Sequence, residues 1–538
     1  MRFLLVVILL GMLAPATSAQ TIYNITAYGA VGNGTTDNTA AIQQAIDSCT
    51  ANGGGLVWVP QGTFQTRTLR LKDNVTLYLA QGATLRGDGT PGNYPNITPP
   101  IRNYTDNNTQ RTLLYAENAR NIGLRGPGTL DGNGQAVGML LDRNNRPYGI
   151  RFYSCTNVRI DSVRLRQSGW WFAHLFNCDS VEVSNIDMYN HGTGNNDGFD
   201  FDCSRNVYIH HSKLDCNNDP IVLKGTAPLL TRNFLAENCT LSTLTRCIKI
   251  GTETNGDFRN ITWRNIAVTR SSVPFATWPS AGINLSIHDG GTMDSVRVEN
   301  VTIEGCSTAL TIRLANRARK HEPNAPTPGV GVMRNIHLKN IRINSVSNNA
   351  SYVTAIAGHY LQNVKLENVE ITMPGGLPAA DPNLVVPERE SERSEWDVFG
   401  TTQAYGLFVR HVQGLLLDSV CIRLNAADQR QKFYFNDTAN IAFGDTCATR
   451  ITARQSSQIS GLKLYPNPAQ NGFRVEAGSA RLGMVRLWNA LGEVVAQWDG
   501  EGNSQIWVAL PALPAGLYRA EVQTMEGGRS SQPLVIQQ

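Results

Sequence analysis

A short hydrophobic phrase recurs along most of the chain, in which Val, Ile or Leu alternate with polar residues after an Asn, Ser or Gly. Copies begin at residues 121, 157, 180, 206, 260, 295, 335, 363 and 414. Alternation with a period of two is typical of a strand, and the shortest spacings between copies, 23 and 26 residues, fit one coil of a solenoid. The pattern predicts an all-β fold, a right-handed parallel β-helix whose bore is filled by aliphatic residues and whose turns carry stacked Asn residues. A β-sandwich, the alternative, does not so naturally repeat one phrase nine times.

The segment before the repeats predicts a helix at one end of the solenoid. Residues 39–49, TAAIQQAIDSC, have apolar residues at helical spacing after Asp37, a good N-cap, and three glycines at 53–55 end the helix. We expect the helix to cover the open end of the sheet stack, which otherwise exposes unpaired backbone groups.

Three long insertions interrupt the repeats at about 86–115, 315–332 and 374–404. Loops on one side of a solenoid usually build its binding face. The first insertion carries Tyr94 and Tyr104, the second carries Arg317, Arg319 and Lys320, and the third is acidic around Glu388–Glu395. The first and third insertions favour a closed pocket of the kind that removes sugars from chain ends.

The N-terminus predicts export. Residues 1–19 have a positive start, an apolar run from Phe3 to Leu13 and small residues before Gln20, which is the pattern of a signal peptide. The apolar run is too short for a membrane anchor. We therefore expect a protein that is secreted and extracellular or held at the cell surface.

Charge and cysteine usage exclude several kinds of partner. The net charge is +4 with Lys and Arg scattered, so no nucleic-acid partner is expected. No CxxC pair or His cluster indicates a metal site, and no cofactor is expected. Ten cysteines in an exported chain permit disulfides, of which Cys203–Cys216 and Cys421–Cys447 are the best candidates.

The composition changes near residue 455, which predicts four regions: a signal peptide at 1–19, a β-helix at 20–450, a linker at 451–461 and a small β-sandwich at 462–538. The last region contains Tyr465-Pro466-Asn467-Pro468, Gly492 after a turn, and Pro514-Ala515-Gly516-Leu517-Tyr518. It resembles the C-terminal sorting domain of the type IX secretion system of Bacteroidetes. The resemblance implies export across the outer membrane, with the type IX secretion machinery as partner. A carbohydrate-binding or adhesion module is the alternative.

Residues 195–224 hold the densest group of acids. Asp197 and the pair Asn218-Asp219 are 21 and 22 residues apart, which is one coil. Residues so placed lie side by side on neighbouring strands, roughly 4.8 Å apart in backbone terms. Hydrolysis of a glycosidic bond needs two carboxyl groups at close range.

Several motifs together resemble the pectin-degrading glycoside hydrolase family 28, the polygalacturonases. They are AYGAVGNGTTDNTAAIQQAI at 27–46, GGGLVWVPQGTF at 53–64, NNDGFD at 195–200 and NNDPIVLKG at 217–225. The third resembles the family's Asn-Thr-Asp-Gly signature, and the fourth stands where the family has Gly-Asp-Asp-Cys-Ile-Ala-Ile-Lys. The resemblance covers roughly residues 20–445 and implies a pectin-lyase-like solenoid that acts as an inverting glycosidase.

The resemblance also implies catalytic roles. Two family aspartates that position and deprotonate water fall on Asp197 and Asp219. The third, usually taken as the general acid, falls on Asn218, and an amide cannot donate a proton in that role. Asp200, Asp202 and Asp215 are the nearby substitutes, with Asp202 the first to test because it shares a strand face with Asp200.

Four cationic residues are candidates for binding an acidic sugar. Arg246 aligns with a family histidine, and an arginine there can bind a carboxylate or a hydroxyl. Arg313 is the best match to the family's Arg-x-Lys pair. With Lys224 and Lys249 it is expected to form a cationic floor, although solvated or turn-capping charge is the alternative interpretation. One of Trp170 and Trp171 is expected to line a subsite and the other to point inward.

The leading interpretation is thus a secreted, monomeric glycosidase that hydrolyses pectin-type polysaccharide, either polygalacturonan or rhamnogalacturonan. A polysaccharide lyase on the same fold is one alternative, kept open by Arg246 and Lys224. A non-catalytic polysaccharide-binding β-helix is the other, because of Asn218.

Overall fold

The computed structural model describes residues 21–142, 144–274, 276–395, 397–445, 462–489, 494–525 and 529–537. They form two separate units, which divide between residues 449 and 450. The predicted signal peptide, the predicted linker and Cys447 lie outside the described residues.

The described residues of the first unit form 31 strands, 2 α-helices and three 3₁₀ turns. The first ten strands are β1 Ile22–Asn24, β2 Asn33–Asp37, β3 Gly55–Val59, β4 Gly62–Thr66, β5 Leu69–Arg70, β6 Val75–Leu79, β7 Ala83–Gly87, β8 Thr112–Glu117, β9 Arg120–Arg125 and β10 Thr129–Asp131. The next ten are β11 Tyr148–Tyr153, β12 Thr156–Asp161, β13 Arg164–Arg166, β14 Ala173–Phe176, β15 Asp179–Ser184, β16 Asp187–Asn190, β17 Phe199–Asp202, β18 Arg205–His210, β19 Lys213–Cys216 and β20 Ile221–Gly225. The rest are β21 Leu230–Thr243, β22 Arg246–Thr254, β23 Asp257–Val268, β24 Ala281–Ile287, β25 Thr292–Cys306, β26 Thr308–Leu314, β27 Val332–Ser345, β28 Ser351–Thr354, β29 Leu361–Gly375, β30 Ala404–Ala426 and β31 Gln431–Phe443. The helices are α1 Thr39–Ala51 and α2 Val137–Leu141, and the 3₁₀ turns are Ile25–Tyr28, Pro91–Asn93 and Tyr104–Asn107.

These strands form one long parallel sheet that is wound into a solenoid, so the predicted parallel β-helix is confirmed. One ladder of the solenoid carries the candidate site, and we call it the site ladder. It consists of β8, β11, β14, β17, β20, β22, β24, β26 and β28, each paired in parallel with the next. Its register sets Asp200 beside His174 on one side and Val222 on the other.

The turns of the solenoid are built on asparagines in the left-handed backbone region. Asn265, for example, has a φ of 55°, which Asn tolerates better than other residues with a Cβ. Its side chain donates to Asn238 at 3.1 Å and accepts from Asn300 at 3.0 Å. The predicted Asn ladders are therefore present, and each rung bonds to the coils before and after it.

Helix α1 covers one end of the bore. Ile42, Ala45, Ile46 and Cys49 are buried and join the core cluster of the solenoid. The N-cap is Asn38, one residue later than predicted, and the Asp37 carboxylate accepts the Thr39 N–H at 3.0 Å.

The second unit has its own core and two antiparallel sheets, so the predicted β-sandwich is confirmed. One sheet has the order β32-β33-β36 and the other β35-β34-β37-β38. The strands are β32 Leu462–Tyr465, β33 Gly472–Ala477, β34 Leu482–Trp488, β35 Val494–Asp499, β36 Gln505–Ala509, β37 Gly516–Thr524 and β38 Arg529–Ile536.

The predicted disulfide between Cys203 and Cys216 is wrong, because both are free thiols. They are buried in different clusters. Cys203 packs outside the bore with Tyr153 and Phe176, whereas Cys216 lies in the bore, with its Sγ 3.5 Å from the sulfur of Met188.

Candidate active site

Strand β17 divides its side chains between the bore and the outer face. Phe199 and Phe201 pack in the core of the solenoid. Because side chains alternate along a strand, Asp200 and Asp202 lie on the opposite, outer face. The same alternation in β20 sends Ile221 and Leu223 inward and leaves Lys224 outside.

Asp197 and Asp219 occupy equivalent places on consecutive coils, two residues before β17 and β20 begin. The backbone N–H of Gly198 donates to the carbonyl of Asp219 at 2.9 Å. Both side chains are buried, with 1% and 0% of their surface exposed. The structure thus brings together the two aspartates that the spacing of the motifs predicts to be neighbours.

Asp219 is held in its ionised form. Its Oδ2 accepts from Lys249 Nζ at 2.5 Å, and its Oδ1 accepts from the Thr245 hydroxyl at 2.8 Å. Burial alone would raise the pKa of this carboxyl, but Lys249, Arg246 and Lys224 hold it below its ordinary value.

The surroundings of Asp197, in contrast, favour its protonated form. Burial, followed by the negative charge of Asp219, raises the pKa of Asp197 to about 7. Its side chain has a neutral donor instead of a direct cation, because Asn218 Nδ2 donates to its Oδ1 at 2.7 Å. The residue that stands where the family has an acid is therefore a direct partner of Asp197.

Asp200 is a third buried carboxyl of the cluster. Among the described residues, neither of its oxygens has a hydrogen-bond partner, and Lys224 Nζ lies 3.6 Å from Oδ1. Burial and the negative charge of Asp197 raise its pKa well above the ordinary value. The net effect of these surroundings is to disfavour the ionised form of Asp200.

Asp202, the first substitute to test as general acid, is tied into a hydrogen-bond network. Its oxygens contact His174 Nε2 at 2.9 Å and accept from the Thr226 N–H at 2.9 Å and the Thr226 hydroxyl. Burial would raise its pKa, but His174 and Thr226 lower it. A carboxyl that is stabilised as an anion is poorly suited to donate a proton.

Asp215 lies in a separate cluster and is also stabilised as an anion. It accepts from the Ser271 hydroxyl at 2.6 Å and the Ser272 N–H at 2.8 Å, and it contacts His191 at 2.8 Å. These bonds outweigh burial and lower its pKa to about 2. Asp215 anchors the loop that follows β23.

Both predicted floor lysines are bound by acids of the protein. Lys249 is paired with Asp219. Lys224 lies 3.1 Å from Glu253 and over the ring of Trp171, 4.4 Å from its centroid. Burial lowers the pKa of Lys249, whereas Glu253 and Asp200 outweigh burial and raise that of Lys224.

Arg246 lies at the same site, but Arg313 does not offer its charge to a ligand. The Arg246 guanidinium is paired with Glu395. Arg313 is fully buried and donates to the backbone carbonyls of Glu388 and Arg389. It therefore anchors the segment 384–400, which we call the strap, instead of forming a floor under the substrate.

Glu253 and Glu395 contact the site cations but are not marked by any motif in the sequence. Glu395 lies 149 residues from Arg246 along the chain, so coil spacing gives no signal for their contact. Acidity around residues 388–395 is the sequence signal, since it adds negative charge to an insertion predicted to border the binding face.

Trp170 and Trp171 contradict the prediction that one of them points inward, because neither belongs to the core of the bore. Phe172 is the inward residue at this level. Regular strand geometry starts only at Ala173, so alternation does not apply to the pair. Trp171 packs against His174 and Lys224, and Trp170 stacks under the Arg146 guanidinium at 4.8 Å.

In the described part of the chain, no group of three His, Cys, Asp or Glu side chains is placed to hold a metal ion. No helix among the same residues is long and apolar enough to cross a membrane.

The sequence profile of the glycosyl hydrolases family 28 matches residues 49–386, which include the whole acidic cluster. The chain belongs to glycoside hydrolase family 28. The predicted enzyme class, a glycosidase that hydrolyses O-glycosyl bonds, is thereby confirmed.

Individual relatives agree with this assignment. An exo-poly-α-D-galacturonosidase of Dickeya chrysanthemi is 43% identical over 126 residues, which are 22% of this chain and 20% of that protein. An exopolygalacturonase of Cochliobolus carbonum is 25% identical over 374 residues, 64% of this chain and 80% of that protein. The family 28 exopolygalacturonase structure from Yersinia enterocolitica has a TM-score of 0.60 at 17% identity, over 79% of this chain and 78% of that chain. This last likeness shows the fold.

The second unit has a match of its own. The profile of the secretion system C-terminal sorting domain covers residues 463–537. The predicted sorting domain is confirmed, and it points to secretion.

Proposed function

We propose that this protein hydrolyses glycosidic bonds in pectin-type, uronate-containing polysaccharide with inversion of configuration. The observation that carries the proposal is the pair Asp197 and Asp219, adjacent carboxyls whose surroundings shift their pKa values in opposite directions. Such a pair supplies one acid and one base at the same pH. Two of this protein's relatives are an exo-poly-α-D-galacturonosidase and an exopolygalacturonase, which supports the choice of substrate.

In this mechanism Asp219 is the general base. Its carboxylate removes a proton from the water that attacks the anomeric carbon, while Lys249 and Thr245 hold it in place. As the carbon–oxygen bond to water forms, the bond from the anomeric carbon to the leaving sugar breaks.

We assign the general acid to Asp197, because its pKa is raised to about 7; this departs from the resemblance, which implies that Asp197 helps Asp219 to activate water. The Asn218 amide donates to Oδ1, so the carboxyl proton sits on Oδ2, from which it passes to the leaving oxygen. One proton enters Asp219 and one leaves Asp197 in each turnover, and exchange with solvent restores both. Asn218 is thus the positioning residue of the acid, while Asp202 orients its neighbours through His174 and Thr226.

The decisive experiment compares wild type, Asp219→Asn and Asp197→Asn on polygalacturonate and rhamnogalacturonan. We expect new reducing ends from wild type, with the inverted anomer seen first by NMR, and a loss of about 10²–10⁴-fold in each variant. An aryl glycoside with a good leaving group should partly rescue Asp197→Asn but not Asp219→Asn.

Other results would decide against the proposal. Full activity of Asp219→Asn refutes the site assignment. An unsaturated, UV-absorbing product that is lost with a chelator identifies a lyase, and tight glycan binding without any product identifies a binding protein. Release of only mono- or disaccharide ends indicates exo action, whereas random cuts exclude it.

The sorting domain extends the proposal to location. We propose that the type IX secretion machinery recognises the second unit and delivers the enzyme to the cell surface or the medium, where its polysaccharide substrate is found. Fractionation of cells that carry this machinery tests it, and enzyme retained in the periplasm with an intact second unit would refute it.

A further inference from the structure

The strap carries a glutamate, Glu395, that pairs with a cation beside the proposed catalytic pair. Glu395 is paired with Arg246, and Arg246 in turn interacts electrostatically with Asp219 and Asp197. The Arg246 side chain keeps 18% of its surface exposed and that of Glu395 keeps 36%, so solvent and ligands reach this pair. The other site cations, Lys224 and Lys249, are almost fully buried against acids of the core.

The backbone that carries Glu395 is firmly anchored. Its carbonyl accepts from the Tyr352 hydroxyl at 2.8 Å. The preceding residue, Ser394, is 2% exposed, and its carbonyl accepts from Asn284 at 2.9 Å while its hydroxyl contacts His288 at 2.8 Å. Only the side chain of Glu395 is therefore needed to make or break the pair with Arg246.

An open cleft lies directly in front of this carboxylate. Its volume is about 570 Å³, within the range that small-molecule sites have. Arg317, Arg389 and Arg393 line it together with three acids, Glu392, Glu395 and Asp397. Arg317 is paired with Asp289 and Arg389 with Glu392, whereas Glu395 links the cleft to Arg246.

We infer that Glu395 stands in for a substrate carboxylate. It pairs with Arg246 until the carboxylate of a uronic acid unit displaces it. Arg–carboxylate pairs are strong and geometrically specific, so the incoming group can replace Glu395 with the same bonds. The acidic sugar is then fixed beside Asp219 while Glu395 turns into the cleft. The inference rests on the proposed function, since it names the charged group that this site recognises.

The test measures binding of a monosaccharide, which cannot be cleaved. D-galacturonate and its neutral methyl ester are titrated into wild type, Glu395→Gln and the control Glu390→Gln by calorimetry. Glu390 lies in the same strap and is exposed, but it does not line the cleft. We expect Glu395→Gln to bind galacturonate about tenfold more tightly, with the methyl ester unchanged and the control like wild type.

Several outcomes overturn the inference. An unchanged affinity of Glu395→Gln for galacturonate does so. An equal gain in affinity for galacturonate and its methyl ester also does so, because an ion pair that only holds the strap in place would not discriminate between a charged and a neutral ligand. If Glu395→Gln unfolds, a crystal structure of wild type with galacturonate decides. The sugar carboxylate on Arg246, with Glu395 displaced, supports the inference, and galacturonate elsewhere with the Arg246–Glu395 pair intact refutes it.

Failure of this test is separate from failure of the proposed function. An enzyme that cleaves pectin while Glu395→Gln leaves galacturonate binding unchanged keeps its function and loses only this inference. A protein that binds galacturonate more tightly in the variant but cleaves nothing keeps the inference for a binding site.

Discussion

Asp197 and Asp219 ionise differently because their neighbours differ, although both are buried. A lysine and a hydroxyl bond to Asp219, whereas an amide bonds to Asp197. Desolvation penalises both charged forms, and only Asp219 has a direct cation to offset it. In the proposed mechanism, acid catalysis needs no carboxyl at position 218, because burial and the charge of Asp219 raise the pKa of Asp197 to about 7 despite the hydrogen bond from Asn218.

The pH dependence of activity follows from this arrangement. Because Asp197 must be protonated, kcat/KM should fall as the pH rises through about 7. The Asn218 amide favours the ionised form of Asp197, so Asn218→Leu should move this alkaline limb to higher pH. Asn217→Leu is the matched control and should leave the limb in place. A limb that stays unmoved in Asn218→Leu excludes Asp197 as the group that titrates.

The same pKa shifts predict opposite effects on stability. The pKa of Asp197 is about 7 in the folded protein and about 3.9 in a model peptide. The folded state therefore binds the proton of Asp197 more tightly than the unfolded state does. The stability that this proton provides is lost as the pH rises from about 3.9 through about 7. Asp197→Asn should therefore raise the free energy of unfolding at pH 8, by up to a few kcal/mol, and change it little at pH 3.5.

Asp219→Asn is the control of opposite sign. The folded-state pKa of Asp219 is depressed, so its contribution to stability is present above about pH 3.9 and is lost as the pH falls through the lower folded value. This variant should lose stability at pH 8. Urea unfolding at both pH values measures the two effects, and the same sign for both variants would contradict them.

At the scale of single residues, the sequence identifies those site residues that lie in short motifs repeated from one coil to the next. Asp197, Asn218 and Asp219 stand in short motifs one coil apart, so their contact is predictable from spacing alone. Glu395 is not, because the strap follows no repeat and its path over the outer face depends on Arg313, Asn284 and Tyr352. The pKa of Asp197 likewise depends on burial, which a motif does not specify.

Among the elements, the Asn ladders stabilise the turns in two ways. An Asn within a ladder adopts a left-handed conformation and also bonds to the coils on both sides, as Asn265 does with Asn238 and Asn300. The recurring strand phrases predict this arrangement well, because period-two alternation and a polar turn residue suffice to define a coil.

Substitution of Asn265 separates the two contributions. Asn265→Ala loses both hydrogen bonds and puts alanine, which tolerates the left-handed region less well than asparagine, at a φ of 55°; together these changes should lower the free energy of unfolding by about 2 kcal/mol. Asn265→Gly keeps the backbone conformation without strain and should lose only about 1 kcal/mol. Urea denaturation of the purified protein measures both. A glycine variant as unstable as the alanine variant would show that the hydrogen bonds carry the whole effect.

At the scale of the whole molecule, the two units have separate cores and separate tasks. All the contacts described for the acidic cluster lie within the first unit. The length and the change of composition near residue 455 predict this division, while the candidate disulfide Cys203–Cys216 is wrong because the two residues face different clusters.

Deletion of residues 462–538 tests the division of tasks. Export in a host with a type IX system should stop, because the sorting domain is removed, while kcat/KM of the purified remainder should stay within about twofold of the full chain, since no described site contact is lost. Cell fractionation and a reducing-end assay measure the two quantities. Unchanged export, or a large loss of kcat/KM, would contradict the expectation.

The pairing of Glu395 with Arg246 has a consequence for how such enzymes diversify. The proposed catalytic pair and its lysines lie on consecutive coils between Asp197 and Lys249, but the carboxylate that pairs with Arg246 comes from an insertion 149 residues away from it in the chain. On the inference that Glu395 stands in for a substrate carboxylate, a change in the length or charge of the strap alters which sugars are accepted and leaves the proposed catalytic residues as they are. Selectivity and bond cleavage would then evolve in different parts of one solenoid.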